Sequence, residues 1–138
     1  MKAFRSIART RRRSEECWKM HSKESNRDMS ITVNLYYRGS CGSARAFAEE
    51  MEKSGIADAI RAEAGNEKYE YFIPLKDTET VLLIDSWKDQ ESLDRHHSSS
   101  MMSELAKLRE KYDLHMTVER YISDTEGVPD KDQAFIRK

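Results

Sequence analysis

The sequence VLLIDSWKDQESLDRHH, residues 81–97, changes from a strand pattern to a helix pattern near its middle. Residues 81–87 are mostly apolar, which predicts a strand. From Asp89 onward, Ser92, Leu93, His96 and His97 recur at helical spacing, which predicts a short helix.

The flanking segments supply the other elements of one domain. Residues 69–73 predict the partner strand of a hairpin, across the polar turn at 76–79. Upstream, residues 31–37 predict the first strand, and a helical stripe begins at Ser43 and is interrupted at Ser54-Gly55. Downstream, helical spacing runs from Met101 to Tyr112, and residues 114–122 predict the last strand. The order β, α, β, β, α, β predicts the ferredoxin-like fold, with helices on one face of an antiparallel sheet.

Both faces of the third predicted strand are apolar. Val81 and Leu83 point to one face, and Leu82 and Ile84 to the other. Two helices cover only one face, so we expect a homodimer in which a second copy covers the other. The alternative is that the polar C-terminal tail, residues 123–138, folds back over that face.

The charge is divided unevenly along the chain. Residues 1–28 carry nine Lys and Arg against four Asp and Glu, although the whole chain has a net charge of -1. This basic head has no interleaved aromatic or amphipathic pattern, so we expect a disordered extension or a misassigned start, and neither nucleic-acid binding nor a secretory signal. No apolar run approaches the roughly 20 residues of a membrane span. Two cysteines imply no disulfide framework and favour the cytoplasm.

Few side chains could carry chemistry, because no phosphate-binding glycine loop, paired CxxC, HExxH or nucleophile elbow occurs. Asn34, a poor strand former within a strand, could hydrogen-bond a phenol or polarise a carbonyl. His96 and His97 diverge by about 100° on a helix, so they cannot chelate one metal together, but one of them could take a proton. Asp85 and Arg120, on facing strands, could simply pair.

Two later segments resemble the antibiotic biosynthesis monooxygenase family. Glu63-Ala64-Gly65-Asn66-Glu67-Lys68-Tyr69 is similar to the family's E-P-G-x-x-x-Y stretch, with Ala64 in place of Pro. Residues 85–99 are similar to its strand-end aromatic residue followed by a helix with Leu-x-x-His-x-x-Ser. Asn34 is the third match, and the resemblance covers residues 29–122.

The resemblance implies a dimeric α+β barrel and a cofactor-independent monooxygenase that oxidises a small quinol or phenolic aromatic with O2. By this resemblance Asn34 orients or stabilises the substrate oxyanion and His96 assists proton transfer. Trp87, Tyr69 and Phe72 are the implied walls of the substrate pocket. Haem degradation is disfavoured, because residues 103–107 lack the histidine of that branch.

Two other functions remain open on the sequence. One is a dimeric binding or detoxification protein for a small aromatic or reactive carbonyl ligand, without O2 chemistry. The other, a nucleic-acid-binding module, rests only on the basic head. Dependence on oxygen separates the first from a monooxygenase, and deletion of residues 1–28 tests the second.

Overall fold

The computed structural model describes residues 29–138, so the basic head, residues 1–28, lies outside the described part of the chain. The elements follow in the order β1 (Ile31–Arg38), α1 (Ser43–Lys53), α2 (Ile56–Arg61), β2 (Asn66–Phe72), β3 (Thr80–Trp87), α3 (Gln90–His97), α4 (Met101–Lys111), β4 (His115–Ile122) and α5 (Asp130–Gln133). The predicted ferredoxin-like order is confirmed, and each of its two helical regions consists of two consecutive helices.

The four strands form one antiparallel sheet in the order β2-β3-β1-β4. Because β1 is central, Val33 pairs with Asp85 on one side and with Arg120 on the other. Side chains alternate between the two faces along each strand. Val33, Asp85 and Arg120 therefore lie in one row on the same face.

Helices α1 to α4 pack on this same face, which we call the inner face. The core joins residues of β1, β2 and β3 with residues of all four helices: Ile31, Tyr37, Tyr69, Leu83, Trp87, Phe47, Met51, Ala57, Ile60, Leu93 and Leu105. The opposite, outer face of the sheet carries the alternate side chains, including Asn34, Tyr36, Leu82 and Ile84. These four are only partly buried.

The predicted interruption of the first helix is confirmed. Gly55, with φ 85°, separates α1 from α2. Such a left-handed conformation costs glycine little, whereas it costs residues with a Cβ atom more. The polypeptide therefore turns there, and Ala57 and Ile60 of α2 reach the core.

A second glycine brings α3 close to the turn before β2. Gly65 has φ 87°, and a Cβ atom at that position would lie 2.1 Å from Ser92 Oγ. Its carbonyl accepts a 2.8 Å hydrogen bond from the Lys88 N–H, just before α3. The turn at Glu63-Ala64-Gly65 is therefore held against the start of α3.

The C-terminal region is open to solvent. All residues from His115 to Lys138 are exposed, and the tail residue Phe135 is 88% exposed. The tail therefore does not cover the outer face in this structure. No helix within residues 29–138 is both long enough and apolar enough to cross a bilayer.

Candidate active site

A cavity of about 340 Å³ lies between the inner face of the sheet and helices α3 and α4. This volume is at the lower end of the range of about 300 to 1,000 Å³ that is typical of small-molecule sites. Most of its walls are apolar. The lining residues are Val33, Leu35, Tyr37, Tyr69, Leu83, Asp85, Leu93, His96, His97, Met102, Leu105, Arg109, Met116, Val118 and Arg120.

Asp85 is the buried carboxyl group of the cavity wall. The residue is 6% exposed, and its Oδ1 accepts a 2.6 Å hydrogen bond from Trp87 Nε1–H. Burial, reinforced by the charge of Glu63, raises the pKa of Asp85 to about 7, against the opposing effects of the Trp87 hydrogen bond and Arg109. A carboxyl group that titrates near neutral pH suits a general base or acid.

His96 supplies a buried imidazole to the cavity wall, and its ring is fixed on two sides. Its Nδ1 lies 2.8 Å from Glu63 Oε2, and the ring stacks on Trp87 with 4.7 Å between centroids. An ionised carboxylate can only accept a hydrogen bond, so Nδ1 carries the proton of the neutral imidazole. Burial lowers the pKa of His96, although Glu63 opposes this shift. The neutral form therefore prevails at neutral pH.

The position of His96 depends on how α3 begins. The side chain of Asp89 caps the helix by accepting from the Ser92 N–H at 2.8 Å and from the Ser92 hydroxyl at 2.7 Å. Such a cap stabilises a helix by typically about 1 kcal/mol. Together with the close approach of Gly65, it aligns α3 so that His96 meets Glu63.

Arg109 of α4 supplies a positive charge to the same cavity. Its Nη2 donates a 2.9 Å hydrogen bond to the hydroxyl of Tyr37. Its Nε is buried and finds no hydrogen-bond partner among the described residues. No carboxylate within residues 29–138 lies within 4.0 Å of this guanidinium. A partly buried cation without an anionic partner is costly, and an anionic ligand would offset that cost.

The structure brings two of the five predicted site residues to the cavity. Tyr69 and His96 both line it. Trp87 is fully buried behind it, where its indole orients Asp85 and supports the ring of His96. Trp87 therefore acts on the cavity through those two side chains.

Asn34 and Phe72 lie on the outer face, away from the cavity. Asn34 pairs with Ile84 in the sheet, whereas its neighbours Val33 and Leu35 point inward. Phe72 pairs with Leu82, also on the outer face, and is 37% exposed. The expectation that both residues line the pocket is therefore not met, because side chains alternate between the two faces of the sheet along a strand. We assign neither a part in the chemistry of this cavity.

Sequence reasoning does not identify three side chains of this candidate site: Asp85 as an acid or base, Glu63 and Arg109. The sequence leaves open a simple pair between Asp85 and Arg120, but β1 separates their strands, and Arg120 donates to Gln90 Oε1 at 2.7 Å. A carboxylate within an apolar strand was the available signal for Asp85. Arg109 gave no comparable signal, because basic residues are common near the C-terminal end of a helix.

No cluster of three or more His, Cys, Asp or Glu side chains placed to hold a metal ion occurs within residues 29–138. The polar groups of the cavity come instead from separate elements: Asp85 from β3, His96 from α3 and Arg109 from α4. This arrangement can accept a proton at one wall and hold negative charge at another.

Comparisons with known proteins agree with this fold. The family model for antibiotic biosynthesis monooxygenases matches residues 30–108. A protein from Pseudomonas aeruginosa shares 20% sequence identity at a TM-score of 0.61, covering 72% of this chain and 98% of that one. A conserved protein from Methanosarcina mazei shares 23% identity at a TM-score of 0.58, covering 71% and 96%.

A further similar structure is SnoaB from Streptomyces nogalater, a cofactor-independent oxygenase determined as a mutant. It shares 12% identity at a TM-score of 0.55, covering 73% of this chain and 97% of that one. At these identities the three structures support the fold alone. None of the curated protein sequences compared with the chain matches it.

Proposed function

Because the chain belongs to the antibiotic biosynthesis monooxygenase family, we propose that it oxidises a small quinol or phenolic aromatic with O2, without a cofactor. One observation carries the proposal: an apolar cavity whose lining includes a carboxyl group, an imidazole and a guanidinium that forms no ion pair within residues 29–138. Such a cavity suits a flat, weakly acidic ligand whose hydroxyl group must lose a proton.

The overall reaction balances without an external reductant. A quinol and O2 give a hydroxyquinone and water: one oxygen atom enters the ring, the other leaves as water, and all four electrons come from the quinol. Deprotonation raises the electron density of the ring, so the anion is the species that reacts with O2. The task of the protein is to form and hold that anion while water is excluded.

The residues divide this work between them. His96, neutral and oriented by Glu63, assists proton transfer. Tyr69 forms part of the aromatic wall, and burial raises the pKa of its phenol. A phenol that stays protonated can donate a hydrogen bond to a substrate oxygen throughout the reaction.

We also propose that a second copy of the chain covers the outer face of the sheet. The helices packed on the sheet lie on its inner face, and the outer face presents Tyr36, Leu82, Ile84 and Phe72. The side-chain oxygen Oδ1 of Asn34 on this face is buried and has no partner within the described residues. A second copy would bury the apolar side chains and could supply a donor to this oxygen. A reducing cytoplasm fits Cys41, which is exposed and forms no disulfide within residues 29–138.

Oxygen uptake tests the function directly. The purified protein, treated with a chelator and given no flavin, is supplied with a panel of reduced quinols and anthrone-like phenols in an oxygen electrode. We expect uptake that requires both protein and substrate, with one O2 consumed for each oxidised product. His96→Asn should lower the rate, whereas His115→Asn, on the exposed edge strand, should leave it unchanged.

A folded protein that gives no uptake above the uncatalysed rate across the panel would contradict the proposal. The function would then be ligand binding or detoxification without O2. Uptake that disappears with the chelator and returns with a metal ion would contradict the cofactor-independent part alone.

A further inference from the structure

Asp85 and Arg109 line the same cavity yet form no ion pair. Opposite charges on flexible side chains normally pair when both are removed from water, because each offsets the desolvation cost of the other. Here each is held elsewhere: the carboxylate by Trp87 Nε1, and the guanidinium by the Tyr37 hydroxyl. The cavity therefore separates a proton acceptor from a cation.

The free atoms of the two groups define what can bind. One oxygen of Asp85 accepts from Trp87, and the other accepts from no side chain in the described part of the chain. Arg109 retains a buried Nε–H without a partner in residues 29–138. A ligand hydroxyl can donate its proton to the free carboxylate oxygen and then leave its negative charge near the guanidinium. A neutral apolar ligand would leave both groups unpaired.

We propose that Asp85 takes the proton from a phenolic hydroxyl and that Arg109, supported by Tyr37, holds the resulting phenolate. This inference deepens the proposed function and rests on it for the class of ligand. In the step, the phenolic O–H bond breaks, an O–H bond forms on Asp85, and no electrons are transferred. Asp85 is thus a catalytic base and Arg109 the electrostatic stabiliser of the anion.

The surroundings of Asp85 favour it over His96 as the first acceptor. Titratable and charged groups face it from each neighbouring element: Tyr37 of β1, Tyr69 of β2, Glu63 before β2, His96 and His97 of α3, Arg109 of α4 and Arg120 of β4. Burial raises the pKa of Asp85 to about 7 and lowers the pKa of His96 below its ordinary 6.5. Burial therefore strengthens Asp85 as a base and weakens His96, which leaves the imidazole as the relay for a later proton.

Binding of 4-nitrophenol without oxygen tests the assignment. This probe ionises near neutral pH, its phenolate absorbs visible light, and it undergoes no turnover in the absence of O2. We expect the wild-type protein to bind the phenolate and to take up one proton above pH 7, so that affinity falls about tenfold per pH unit there. Titration calorimetry in buffers of different ionisation enthalpy counts the proton.

The variants separate the two roles. Asp85→Asn should bind the phenolate with an affinity that stays level above pH 7, because no proton is then needed. Arg109→Gln should weaken phenolate binding at least tenfold at every pH, and Arg109→Lys, which keeps the charge, should recover part of the loss. Arg45→Gln on the exposed side of α1 is the matched control, and circular dichroism verifies the fold of each variant.

Three results would overturn the inference. One is no binding of the probe by the wild-type protein at millimolar concentration. Another is an Asp85→Asn variant that keeps the wild-type pH dependence, and a flat profile in His96→Gln would then identify the imidazole as the acceptor. The third is unchanged affinity in Arg109→Gln. Since no O2 is present, an inactive oxygenase that binds the phenolate as described would leave this inference standing and refute only the proposed function.

Discussion

Replacement of Asp85 by asparagine should stabilise the protein above neutral pH, although it removes the proposed base. The side chain keeps its shape and an oxygen that can accept from Trp87 Nε1–H. What disappears is the cost of ionising a carboxyl group that is 6% exposed. Functional groups commonly reduce the stability of the fold that holds them.

The magnitude follows from the pKa of Asp85, which burial raises from 3.8 to about 7 in the folded protein. Since the folded pKa exceeds the unfolded value, the folded state keeps a proton between these values that the unfolded chain has lost. The contribution of Asp85 to the free energy of unfolding is therefore full below pH 3.8 and is lost as the pH rises through 7. At about 1.4 kcal/mol per pH unit, the wild type loses about 4 kcal/mol, which Asp85→Asn does not lose.

Urea denaturation followed by far-ultraviolet circular dichroism measures this difference. The free energies of unfolding of the variant and the wild type should agree near pH 4, diverge between pH 4 and pH 7, and differ by about 4 kcal/mol at pH 8. Asp94→Asn, which replaces an exposed carboxylate on α3, should stay within about 0.5 kcal/mol of the wild type. A gap that does not change with pH, or a variant less stable than the wild type at pH 8, would refute the reasoning.

Two further predictions concern the geometry of the site and the outer face. Gly65→Ala should destabilise the protein by about 2 kcal/mol or more and weaken ligand binding, because the alanine Cβ would overlap Ser92 Oγ at a positive φ. The control is Gly127→Ala, which has open space around it and should cost less than half as much free energy in the same urea titration. Ile84→Glu should convert the proposed dimer to a folded monomer in light scattering, whereas Ala59→Glu on the exposed side of α2 should not. A wild type that is itself monomeric at micromolar concentration would contradict the proposed dimer.

The order of elements could be predicted because its signals are local. The change from period two to helical spacing after Trp87, and the break at Ser54-Gly55, are both encoded within a few residues. Each appears in the structure at the predicted place. The interruption at Gly55 needs no tertiary contact to explain it, since its φ of 85° suits glycine by itself.

The side on which a strand residue points was harder to predict. In β1, the apolar set Ile31, Val33, Leu35 and Tyr37 already implied that Asn34 faces the other way, and the structure follows that alternation. In β3 both faces are apolar, so the sequence did not decide where Asp85 points. Arg109 reaches the cavity only because α4 packs against the sheet, which no local pattern encodes.

The most direct test of the account is the kcat/KM of Asp85→Asn for oxygen uptake, with the best quinol of the panel and beside the wild type at neutral pH. A folded variant whose kcat/KM is at least about a hundredfold lower, the usual loss when a general base is removed, is the result we predict. A folded variant with the wild-type kcat/KM would contradict the claim that oxidation begins with proton transfer to Asp85.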